Sequence, residues 1–138
     1  MSATVNTTLT ITSSNLTSDV ISLTLPTTLL SAVQGGMTRV KLATFHATTA
    51  PAGSTVLATA EQYPAGSKLW VYNPSTTTDG TERINISLDE SATQIILKGG
   101  DWAVIPWTGL GQPGTKKDIM AFGLHAVGQL LEYGVFGA

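Results

Sequence analysis

Between Arg83 and Trp107 the chain reads RINISLDESATQIILKGGDWAVIPW, three apolar segments separated by two turn-forming ones. In the first, Ile84, Ile86 and Leu88 alternate with Arg83, Asn85 and Ser87, the period of two expected of a strand with one wet face. The second and third, Gln94 to Leu97 and Trp102 to Ile105, are continuous apolar runs. They predict strands covered on both faces, and their β-branched residues favour strand over helix. Asp89-Glu90-Ser91 and Gly99-Gly100-Asp101 supply the turns. The whole stretch reads as an antiparallel meander.

The same alternation recurs elsewhere. Val5, Leu9 and Ile11, with Thr7 among them, share one side of an amphipathic strand over residues 4 to 12. Ile21, Leu23 and Leu25 form a second alternating set that ends at Pro26, and the two sets are expected to form a hairpin. From residue 28 to 34 the spacing of Leu29, Leu30, Ala32 and Val33 predicts a short helical turn, capped by Thr27 or Thr28 and stopped by Gly35. Strand chemistry resumes at residues 38 to 49, with Val40 and Leu42 on one side and Arg39 and Lys41 on the other. Residues 54 to 67 read as loop with room for a short edge strand, and Lys68 to Tyr72 as a strand near the centre of a sheet. Asn73 to Gly80 and Thr108 to Lys117 are polar, turn-rich segments expected to be exposed loops. At the C-terminal end, Gly123 and Gly128 would each cost a helix about 1 kcal/mol, so two strands fit residues 118 to 136 better than a helix. The sum is an all-β, antiparallel β-sandwich, jelly-roll-like, of eight to nine short strands in a single domain over residues 1 to 138. Residues 1 to 14 are a candidate N-terminal arm.

Composition sharpens this picture. A chain of 138 residues holds one core. It has no cysteine, so neither disulfides nor thiolate ligands contribute. Only 12% of residues are charged, while 22 threonines supply polarity suited to strand surfaces. A net charge of −2 without basic clusters argues against nucleic acid. MSATVNTTLTITSS lacks the basic and apolar regions of a secretory signal, and no apolar run approaches the ~20 residues that span a bilayer, so no membrane partner is expected. Sparse charge with a mean hydropathy of +0.19 points to a protein that assembles with others.

Reactive chemistry is hard to find. His46 and His125 are the only imidazoles, and both sit in apolar strand text without a nucleophile elbow or a second histidine at ligand spacing. They read as structural. The nine acids fall mostly at turns, with no calcium-loop spacing. Gly35-Gly36 and Gly99-Gly100 lack the flanking lysine of a phosphate loop. No catalytic residue, metal or cofactor is expected. Trp70 and Trp102 lie inside apolar runs and read as core, whereas Trp107, after Pro106 at a strand end, is the tryptophan expected to be exposed.

The succession KLWVYNPSTTTDGTERINISL, QIILKGGDWAVIPWTG and LLEYGVFG resembles small virion proteins of tailed bacteriophages, in particular capsid decoration (cement) proteins. That resemblance covers residues 68 to 136. It implies a non-enzymatic protein made in the host cytoplasm and carried on the capsid surface, where it binds the major capsid protein, as a trimer or dimer, and stabilises contacts between shell subunits. Candidate interaction residues are Trp107, Asn73, Thr76, Thr77 and Thr78, together with Val5, Leu9 and Ile11 of the N-terminal strand. The alternatives are a lectin-like, carbohydrate-binding sandwich with Trp107 and the Asn73 loop at its rim, or a head or tail fibre subunit.

Overall fold

A computed structural model describes residues 3–13, 21–24, 28–32, 34–45, 50, 52–63, 67–90, 92–107, 117–124 and 128–137. Both histidines, most of the 108–117 loop and the 125–127 connection lie outside the described residues. Among those described, the chain is all-β. Two antiparallel four-stranded sheets make a β-sandwich. The first sheet has the order β10-β7-β12-β5, from Trp102–Trp107, Ser67–Tyr72, Leu130–Gly137 and Gln34–Lys41. The second has the order β6-β11-β8-β9, from Thr55–Ala58, Ile119–Gly123, Ile84–Ser87 and Ile95–Leu97. Leu69, Val71, Leu131 and Val135 of the first sheet meet Leu57, Ile84, Ile86, Ile119 and Ala121 of the second in one buried cluster.

Four further strands precede the sandwich. β1 (Ala3–Thr7) pairs with β4 (Thr28–Ala32), and β2 (Thr10–Ser13) pairs with β3 (Ile21–Thr24). Thr7 pairs with Thr28 and Thr10 with Thr24, so two residues intervene on one leg and three on the other. These two antiparallel ladders, each a two-stranded sheet, make up the N-terminal ribbon. The expected hairpin is present in β2 and β3. The expected helical turn at 28 to 34 is not: residues 28–32 are a strand, with Leu30 opposite Val5 and Leu29 opposite Asn6. An isolated helical turn must be nucleated for one or two hydrogen bonds, whereas pairing engages the backbone of all five residues. Gly35 is accordingly no stop signal but a strand residue opposite Phe136. The split of residues 4 to 12 into β1 and β2, the strand β4 in place of the helical turn and the edge strand β6 bring the strands among the described residues to twelve, above the eight to nine expected.

The meander is also revised. β8 and β9 form a hairpin, but β10 pairs with β7 in the other sheet. The corner lies at Gly99–Asp101. Asn73 N donates to Asp101 O at 3.0 Å and Gly100 N to Asn73 O at 2.9 Å, which ties the corner to the end of β7. Gly100 has φ +83°, and a Cβ on Gly99 would lie 2.4 Å from Thr77 O and 2.7 Å from Ser75 O. Only glycine lets the backbones pass this closely. The chain thus leaves one sheet at Leu97 and enters the other at Trp102, with four residues between them.

Burial reverses a second expectation. β8, with its polar alternation, is buried along its whole length, including Asn85 and Ser87. A segment from far upstream joins this sheet beside β8's partner strand β11. Phe45 N donates to Gly123 O and Gly123 N to Ala43 O, both at 2.9 Å. This makes Thr44 a parallel bridge partner of Gly123 at the end of β11, with the Phe45 ring edge-on to Phe122 at 6.3 Å. Phe122 is fully buried there, opposite Asn85. By contrast, β9 and β10, expected to be covered on both faces, expose Ile96 and Trp102, each to about half its surface.

Candidate functional site: an aromatic groove on the open sheet face

The strand period places every second residue of the first sheet on its outer face, and the registers align these residues in three rows. Trp102, Tyr72, Glu132 and Arg39 form one row. Val104, Trp70, Gly134 and Met37 form the next, and Pro106, Lys68, Phe136 and Gly35 the third. Unlike the outside of the second sheet, these rows are open: Met37 is 68% and Trp102 53% exposed. Together with Asn6 and Thr8 from the ribbon they line a groove of about 740 Å³.

Aromatic surface dominates its floor. The rings of Trp70 and Tyr72 are near-parallel, 24° apart with 6.3 Å between centroids. Gly134 keeps the centre low: a Cβ there would come within 3.1 Å of Met37 Cγ, Phe136 Cε2 and Gly36 O. Polar groups sit at the margins. Arg39 Nε donates to Glu132 Oε1 at 2.9 Å, and the guanidinium forms an ion pair with the same oxygen. Such a solvent-exposed pair contributes about 0–1 kcal/mol to stability, so it positions more than it stabilises. Lys68 adds an ammonium and Asn6 an amide.

The ion pair separates this groove from a second, polar cleft of about 460 Å³ bounded by Arg39, Ser75, Glu82 and Gln129. Asn73 lines that cleft but is fully buried. Its Nδ2 donates to Glu82 O at 2.8 Å and Leu97 O at 3.1 Å, while Oδ1 accepts from Ser75 N at 3.2 Å. It is a staple joining the end of β7 to the β7–β8 loop and β9, rather than a residue offered to a partner. The loop itself is tethered. Ser75 Oγ contacts the Glu82 carboxylate and accepts from Thr77 N at 3.0 Å. Thr81 donates its backbone N–H and its hydroxyl to Asp79 Oδ1, which holds that carboxyl below the usual carboxylate range.

The other sequence candidates are scattered. Trp107 is only 8% exposed and belongs to the core cluster, on the inward side of β10 opposite Ser67. A strand end is covered here because the inner face continues past Pro106. Thr76 and Thr78 are exposed and Thr77 half-buried. Val5 and Ile11 sit in ribbon strands opposite Leu30 and Leu23, and Leu9 lies between those strands, half-buried. None of these eight lines the aromatic groove. The residues that do, Trp70, Tyr72, Trp102, Phe136 and Met37, were visible as large side chains at alternate strand positions. No signal in the sequence said that this side of the sheet would stay uncovered.

Among the described residues no three histidine, aspartate or glutamate side chains converge as a metal site. No protein-family model matches this chain, and no curated protein matches it in sequence.

Proposed function

We propose that the chain is a non-enzymatic structural protein of a tailed-phage virion, bound to the outside of the capsid, where it stabilises contacts between major capsid subunits. The observation that carries this reading is the N-terminal ribbon. Among the described residues its strands pair only with each other and with no strand of either four-stranded sheet. A lone two-stranded ribbon is marginal in water, and its unpaired edges are templates for another chain. A shell of repeated subunits supplies such a chain many times over.

Sparse charge supports the same reading, since little repulsion opposes close packing. Each 100 Å² of apolar contact contributes about 2.5 kcal/mol before the costs of association. Identical weak contacts on a symmetric lattice then accumulate by avidity, and dimers or trimers on local symmetry axes are the natural arrangement.

The test adds purified protein to cognate expanded shells that lack it. Cosedimentation and a higher temperature of shell disruption are expected, and Val5→Asp or Ile11→Asp in the ribbon should weaken both. Protein that neither binds nor protects the shells would remove this reading.

A further inference from the structure

We infer that the open face of the first sheet is a carbohydrate site for an extended, equatorially linked pyranose chain, with Trp70, Tyr72 and Trp102 as its stacking surface. Shell binding rests on the pairing edges of the ribbon, whereas the stacking surface belongs to the first sheet and takes only Asn6 and Thr8 from the ribbon side.

Four observations carry it. Aromatic side chains in a soluble domain are normally buried, yet Trp102 is 53% exposed. An exposed apolar patch of this kind marks a contact surface. The surface is concave, and about 740 Å³ falls within the 300–1,000 Å³ typical of small-ligand sites. Its polar groups are few and lie at the margins, as in sites that orient a ligand through a small number of hydrogen bonds. Lys68 offers donors, Glu132 a carboxylate acceptor already oriented by Arg39, and Asn6 both functions.

Charge decides the class of ligand. The groove holds one ammonium and one carboxylate, the latter paired with Arg39, so it favours neither anions nor cations. A neutral ligand with apolar faces and hydroxyl edges matches this chemistry. Pyranose rings have both, their axial C–H faces packing on aromatic rings while their equatorial hydroxyls reach the rim. Equatorial linkage keeps successive rings in a flat ribbon that can follow a sheet face; an axially linked, helical chain cannot.

The experiment titrates the full chain with cellohexaose, chitohexaose and maltohexaose, following tryptophan fluorescence and calorimetric heat. Cellohexaose or chitohexaose should bind and maltohexaose should bind more weakly. Trp102→Ala should weaken binding on the order of tenfold, while Ile96→Ser, on the other sheet, leaves it unchanged. Thermal melts of each variant establish that it is folded. Failure of both equatorially linked probes to bind, or binding that survives Trp102→Ala and Trp70→Ala, would overturn the inference. Loss of shell binding in Trp102→Ala without sugar binding would identify the face as a protein seam, overturning the carbohydrate site while leaving the structural reading intact.

Discussion

The outer faces of the two sheets have opposite fates. On the second sheet, the segment ending at Phe45 folds over Phe122, and the polar alternation of β8 ends up buried on both sides. On the first, β7 and β10 are rich in tryptophan, tyrosine and valine, yet their outer side stays open. Large apolar side chains are thus exposed on one outer face, while polar side chains are buried on the other. Ser87 tolerates burial because its hydroxyl donates to Asp89 Oδ1 at 3.1 Å, which offsets its desolvation. Trp102 and Met37, by contrast, each keep more than half of their surface exposed. Exposed apolar rows on a well-formed sheet are surface suited to a contact outside the chain, whereas buried polar rows must be satisfied within it.

That contrast can be broken by substitution. The largest effect is expected on the covered face: Phe122→Ala should cost about 3–5 kcal/mol in urea unfolding, through lost transfer energy and the cavity left under Phe45. At the corner between the sheets, Gly99→Ala should cost about 1–3 kcal/mol, because its methyl group would press on the Ser75 and Thr77 carbonyls. Asn73→Ala is expected in the same range of about 1–3 kcal/mol, since two carbonyls would lose a buried donor. The same unfolding measurement reads all three.

Smaller still is a pH effect in the core. Burial, with the nearby Tyr133 adding, pushes the Tyr63 phenol above its ordinary value. A raised folded value favours the neutral form, so this contribution is fully present below the ordinary tyrosine range, near pH ~10. It is lost as pH rises through the folded value. Tyr63→Phe should flatten the alkaline limb of the unfolding midpoint against pH. The smallest stability change is expected on the open face, where Trp102→Ala should cost about 1 kcal/mol or less while weakening sugar binding on the order of tenfold. A large loss of stability from Trp102→Ala would show that the aromatic row is structural and would erase the distinction between the faces.

Much of the fold was legible in the residues. Alternation gave the strands, Lys68 to Tyr72 was correctly central, and Gly123 and Gly128 argued correctly for strands near the C-terminus. The site was half legible. Trp70, Tyr72 and Trp102 stand out in the sequence, but the apolar runs make Trp70 and Trp102 read as core and Trp107 as surface, the reverse of what the fold does for Trp102 and Trp107.

A period of two is written in the local sequence because it follows from backbone geometry alone, and it fixed an all-β chain. Which side of each strand meets water depends on segments distant in sequence: Phe45 arriving over Phe122, and Gly99 to Asp101 sending β10 to the opposite sheet. Covering is a property of the assembled chain, since the free energy of burying a face belongs to both partners and only one of them appears in any local stretch.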